Sequence, residues 1–235
     1  MGHEAARGAV TAPAATSEAP LEIYRRLEAA CRVDGWHWRA DSAWFEVCVG
    51  AILVQHTAWA NVERALARLS EARALSLQAV VSLAEEELAE LVRPAGMPLQ
   101  KAKRLKAFAA LVERHGGVEG LVALPTDQLR AALLATYGVG RETADAVLLH
   151  AAGRPVFVVD AYTMRLFHRL GLGPEGSRYD TWQRWFQERL PEDRDLYRSY
   201  HAAIVLHCKD TCRARPRCPG CCLLDVCATG LQAVR

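Results

Sequence analysis

The sequence predicts an all-α protein, on three observations. Apolar residues recur at helical spacing almost everywhere from Leu21 onward. Gly and Pro punctuate that pattern at short intervals. Only Val156 to Val159 reads as extended, and it is too short to found a sheet. Residues 1–19, rich in Ala, Gly, Pro, Ser and Thr, are expected to form a disordered tail. Ser82 to Val92 carries Leu83, Leu88 and Leu91 at helical spacing and opens on the capping-box pattern Ser82-x-x-Glu85. Pro125-Thr126-Asp127 starts a helix through Leu134, and Arg141 to about Ala152 reads as another. Asp160 then opens a helix from Ala161 to Leu170. Trp182, Trp185, Phe186 and Leu190 form one apolar stripe, and Leu196, Tyr200, Ile204 and His207 form the next. No internal repeat interrupts this bundle of many short helices.

A chain of 235 residues is long enough for one large domain or two small ones with a real core. With 51% hydrophobic and 24% charged residues it has the composition of a soluble globular protein. The formal net charge of +2 is too small to imply nucleic-acid binding, so any such footprint must come from local clusters. The candidates are Lys101, Lys103, Arg104 and Lys106, and later Arg213, Arg215 and Arg217. There are eight cysteines, six of them crowded into positions 208–227, with Cys31 and Cys48 apart. A secreted disulfide scaffold would spread them through a shorter chain. No signal-peptide core or membrane-length apolar run is present, and Ala6 breaks the myristoylation pattern. The expectation is a soluble protein of a reducing compartment, inside the cell and away from membranes, with a metal site.

Two local motifs carry chemistry. Tyr137-Gly138-Val139-Gly140 is a turn between helices in which the two glycines permit positive φ and a close backbone approach. Amides at the start of the next helix, aided by its dipole, suit a phosphate, although such corners also serve packing alone. The second motif is the knuckle Cys212-x5-Cys218-x2-Cys221-x5-Cys227, whose spacing points to a metal cluster. A four-cysteine zinc site is the alternative, but such sites pair two short Cys-x2-4-Cys knuckles and only one is present.

The stretch Leu133 to Gly171 resembles the helix–hairpin–helix, Gly/Pro-rich loop and aspartate signature of the endonuclease III superfamily of DNA glycosylases. Its Val-Gly-Arg turn, the apolar Val156-Phe157-Val158-Val159 and Asp160 fall at that family's spacing, and the resemblance runs from about residue 21 to 229. It implies two helical domains with a DNA-binding cleft between them. One is a six-helix barrel over 36–150; the other is an iron–sulfur cluster domain built from 20–35 and 151–235. It further implies a [4Fe–4S] cluster held by Cys212, Cys218, Cys221 and Cys227, with a structural or redox-tuning role. The first cysteine spacing is one residue shorter than the family's, and Cys208 and Cys222 keep the ligand set open.

By the same resemblance the partner is double-stranded DNA with a damaged base, met by a monomer. Gly138, Val139, Gly140, Arg141 and Thr143 would contact DNA, with Arg213 and Arg215 of the cluster loop on its phosphates. Gln55 would fill the gap left by a flipped base, and Met97 would wedge the opposite strand. Asp160, which also reads as a plain N-cap, would be the essential aspartate that stabilises the oxocarbenium-like state. Members that cut the strand carry a Schiff-base lysine where this chain has Glu142, so a monofunctional glycosylase is expected. No lysine lies between Lys106 and Lys209 to replace it, so strand cutting would need an amine from elsewhere, such as Lys101 or the N-terminus. A pocket with the carboxylates of Glu142 and Asp160 would favour a cationic alkylated purine, with Trp36, Trp38, Trp44 and Trp59 as candidate aromatic walls. Gln55 to Asn61 also resembles the alkylated-base branch. The alternative is a non-catalytic protein that binds damaged or distorted DNA.

Overall fold

The structure, a computed structural model, describes residues 18–33 and 43–234. All regular structure among them is helical. Residues 1–17 of the expected tail, and Trp36 and Trp38, lie outside the described residues; helix already starts at Ala19. The chain divides into two units. The first comprises residues 1–35, 159–192 and 199–235, and the second comprises 36–158 and 193–198.

The second unit is built around the helix Trp44–Leu53, in which every residue from Val47 to Leu53 is buried. A helix apolar on all sides can only be a core helix. It packs on the Val147–Ala151 turn and on the long helix Pro98–Arg114. The helix Trp59–Glu71 is amphipathic instead, burying Val62, Ala65 and Leu69. Helix Thr126–Leu134 follows Pro125, as its start signal predicts.

The capping box at Ser82 is not formed. Ser82 ends the helix Leu77–Ser82, and its Oγ donates back to the Gln78 carbonyl at 2.8 Å. The next helix, Glu85–Val92, begins one turn register later, where Glu87 accepts the Ala84 backbone N–H at 3.1 Å. Because Leu83 is held extended at ψ 145°, Ser82 and Glu85 fall on different helices.

In the first unit, helices Ala161–Leu170, Tyr179–Gln187 and the larger part of Arg194–Asp210 enclose an aromatic core. Phe167 meets Phe186 edge-on at 4.7 Å, and Trp182 and Phe186 are fully buried. Helix Ala19–Ala30 joins this core through Tyr24 against Tyr200 at 5.1 Å, and the Tyr200 hydroxyl donates to the Pro20 carbonyl at 2.7 Å. Arg26 adds a two-pronged bond to Asp225 at 2.7 and 2.9 Å. No helix among the described residues is long and apolar enough to cross a membrane.

Candidate active site and cysteine centre

The glycine turn of the second unit is held from behind by polar contacts. Gly138 takes φ +74°, and a Cβ there would run into the Arg104 side chain, so glycine is required twice over. Gly140, extended at ψ 178°, brings no side chain to cap the helix Arg141–Ala146, which continues through a wide turn over Val147–Ala151. Tyr137, Gly138, Gly140, Arg141 and Glu142 are exposed. Val139 points into the core, and Thr143 is buried. Two opposed charges clamp the flanking helices: Arg130 donates to both oxygens of the fully buried Asp145, at 2.7 and 2.9 Å.

Gln55 is tied to the same turn. Its amide donates to the Gly138 carbonyl at 3.1 Å and to Thr143 Oγ1 at 2.8 Å, while its Oε1 accepts from Arg104. Gln55, Gly138 and Thr143, separate candidates in the sequence, are therefore one network, and Arg104 is a member that sequence reasoning placed in a charge cluster. Met97 stands at the start of Pro98–Arg114 in a left-handed conformation (φ 47°), unusual for a residue with a Cβ, and it is partly exposed. Trp44 stacks on Phe108 at 5.8 Å and the Trp59 indole donates to Glu63 at 3.0 Å.

The lysine-rich run does not form a basic face. Lys101 is fully buried, its ammonium donating to the carbonyls of Leu53 (2.8 Å) and Ala95 (2.5 Å). Burial, and then the Arg104 guanidinium, lower its pKa to about 8. Lys106 likewise donates to the carbonyls of Val81 and Leu83. These cations satisfy the unpaired carbonyls of neighbouring segments, the usual need at helix ends. Arg213, Arg215 and Arg217 do lie exposed.

In the first unit Asp160 caps the helix Ala161–Leu170. Its Oδ1 accepts from the Thr163 backbone N–H at 2.7 Å and from the Thr163 hydroxyl at 2.8 Å. Its Oδ2 lies 3.6 Å from His201 Nε2, and both side chains are nearly buried. Burial alone would raise the carboxyl pKa. The His201 contact and the Thr163 donors outweigh it and hold the carboxyl below its ordinary value. His201 was missed in the sequence, where it looks like a polar neighbour of Tyr200 on the long helix.

Cys212, Cys218, Cys221 and Cys227 line one pocket, together with Leu166, Leu170, Leu223 and Leu224. Cys208 and Cys222 are not part of its lining. Three of the four sulfurs receive donors: Cys212 from Arg169 at 3.2 Å, Cys221 from Leu223 N–H at 3.4 Å and Cys227 from Gly230 N–H at 3.3 Å. Such donors favour thiolates, the form that binds metal, while the Cys222 thiol and burial push Cys221 up to about 12 and burial raises Cys227. The Cys208 thiol and the Arg169 guanidinium also lower the pKa of Cys212. The residues present thus fit a four-thiolate group. His207, Cys221 and Cys222 also lie near one another, their ligand atoms within 4.8 Å. Arg169 further donates to the carbonyls of Cys212, Arg213 and Ala214, and Arg165 to those of Cys208 and Cys212, so the helix that Asp160 caps also holds the cysteine loop.

Comparison with known proteins agrees with this geometry. Residues 49–192 match the HhH-GPD superfamily of base excision DNA repair proteins. A candidate DNA repair glycosylase of Methanocaldococcus jannaschii is 45% identical over 209 residues, covering 88% of this chain and 94% of that protein. Among solved structures, an endonuclease III–DNA complex superposes with a TM-score of 0.79 at 24% identity, over 94% of this chain and 99% of the other. The H. pylori 3-methyladenine DNA glycosylase bound to 1,N6-ethenoadenine gives 0.68 at 26% identity, over 81% and 97%. Endonuclease III of Escherichia coli is 31% identical over 185 residues, 78% of this chain and 82% of that protein. The chain therefore belongs to the HhH-GPD superfamily of base excision DNA repair proteins and is a DNA repair glycosylase of the endonuclease III type.

Proposed function

We propose that this glycosylase is monofunctional: it removes damaged bases, alkylated purines among them, from double-stranded DNA and leaves the strand uncut. The observation that carries the reading is the pair of positions Asp160 and Glu142. Asp160 supplies a carboxylate kept ionised by Thr163 and His201. That negative charge stabilises the positive charge that develops on the sugar as the base departs, and water completes the hydrolysis. Glu142 stands where an imine-forming lysine would be, and a carboxylate cannot form that bond. A cationic base is attracted by a buried carboxylate, and the likeness to a 3-methyladenine glycosylase supports the alkylated-purine class.

The exposed backbone of Gly138 to Arg141 binds a phosphate, with Val139 and Thr143 acting from behind to hold its shape. Gln55 and Met97 enter the stack, and Arg213 and Arg215 add phosphate contacts. Cys212, Cys218, Cys221 and Cys227 hold a [4Fe–4S] cluster, which when bound supplies a structural or redox-tuning role. The protein acts as a monomer inside the cell.

The test is single-turnover incubation with end-labelled duplexes bearing an alkylated purine, an oxidised pyrimidine or a mismatched adenine, each divided between neutral and hot-alkali quenches. Cleavage of the alkylated-purine duplex only after alkali is the expected result. Cleavage already at neutral pH would overturn the monofunctional assignment, and excision of only a neutral lesion would overturn the substrate class. Binding without product on any duplex would mean a damage-recognition protein.

A further inference from the structure

We infer that His201 is a positioning residue for Asp160, fixing the orientation of the carboxylate oxygen that faces the departing base. The inference rests on the reading of Asp160 as the catalytic carboxylate.

The two oxygens of Asp160 do different work. Oδ1 is occupied by two Thr163 donors, the backbone N–H at 2.7 Å and the hydroxyl at 2.8 Å. That is the ordinary task of an N-cap, and it leaves Oδ2 as the oxygen available for chemistry. His201 Nε2 lies 3.6 Å from Oδ2. A cap alone fixes one oxygen and leaves the carboxylate able to pivot about it. A second contact from another helix removes that freedom.

His201 is well placed for this because its own position is fixed. It sits mid-way along Arg194–Asp210, 5% exposed. Its neighbour Tyr200 is fully buried, bonded to the Pro20 carbonyl at 2.7 Å and packed on Tyr24. The helix is thus locked in rotation one residue away from the imidazole. At 3.6 Å the contact is longer than a good hydrogen bond. It can tighten into a donated hydrogen bond when substrate binds. Asp160 is 8% exposed, and a carboxylate so buried needs compensating partners to remain ionised. Thr163 and His201 are the two that the structure gives it.

The experiment compares the native chain with His201→Ala, His201→Gln and Asp160→Asn on a duplex carrying 3-methyladenine. It measures the single-turnover excision rate, the Kd for the same duplex, the visible absorbance of the cluster and the melting temperature. The expected result is a rate loss of about tenfold or more in His201→Ala, the scale of other partners that orient a reacting group, with Kd unchanged. His201→Gln, whose amide can donate from nearly the same point, should recover most of the rate. A rate loss equal in the Ala and Gln variants, or one that merely follows lost cluster or folded protein, would overturn the inference. So would native rates in both variants alongside an inactive Asp160→Asn, which would leave the reading of Asp160 standing. An active Asp160→Asn would overturn that reading and the inference with it.

Discussion

Two helix starts face the same physical problem and solve it in opposite ways. A helix begins with backbone N–H groups that have no partner within the helix. At Ala161–Leu170 the preceding residue is Asp160, whose Oδ1 accepts the Thr163 N–H, so the chain's own carboxylate satisfies the end. At Arg141–Ala146 the preceding residue is Gly140, which has no side chain to offer, and the turn is exposed. The capped start keeps an anion of its own and suits chemistry. The start without a side-chain cap would, on the proposed function, take its anion from outside as DNA phosphate. On the proposed function, one type of backbone end serves catalysis or binding according to a single residue, aspartate or glycine.

The largest expected effect breaks the catalytic half alone. Asparagine caps a helix about as well as aspartate, so Asp160→Asn removes the charge and keeps the cap. Single-turnover excision should fall by about a thousandfold or more, the scale of losing a central electrostatic stabiliser, while circular dichroism and DNA binding stay native. The next effect falls on the frame of the binding half. Arg130→Ala leaves Asp145 buried without its two-pronged partner, which should cost about 3–5 kcal/mol in denaturant unfolding.

Gly138→Ala is milder. Forcing a Cβ into φ +74° costs about 1–2 kcal/mol, and the Arg104 side chain must also move, which loosens Gln55. Binding to undamaged and damaged duplexes should weaken together. The smallest effect is in pH. Asp160 has a lowered pKa, so its carboxylate, and the stability linked to it, persist above the ordinary carboxyl range and are lost only as pH falls through the lower folded value. The excision rate should therefore show no acid limb at or above about pH 4 that belongs to this group.

What could be read from the sequence divides along the same line. Gly138 and Asp160 are legible because each acts on the residues beside it, a turn or a cap, and local chemistry leaves a local pattern, whereas Gly140, at φ −91° with open space where a Cβ would stand, does not show the positive φ expected of both glycines. The four pocket cysteines are legible because they too are close together in the chain. Arg104, Arg130 and His201 are not, because each acts on a residue far away in sequence, and nothing in the spacing of Arg104 and Gln55, or of His201 and Asp160, says that they meet. Lys101 was misread in the opposite direction. Its neighbours made it look like part of a solvated basic face, whereas tertiary packing turns it inward to cap the carbonyls of Leu53 and Ala95. The Ser82 capping box failed because extended Leu83 leaves Ser82 at the end of the preceding helix, and the next helix starts after Ala84, whose side chain cannot cap it.

The most direct measurement sets Asp160→Asn beside Gly138→Ala and reads two quantities for each, affinity for an undamaged duplex and single-turnover excision at saturating enzyme. The account predicts a crossover: the first variant binds as the native chain does but excises nothing, and the second binds weakly but excises at the native rate once saturated. Proportional loss of both quantities in both variants would contradict it, because binding and chemistry would then not be divided between the two helix starts.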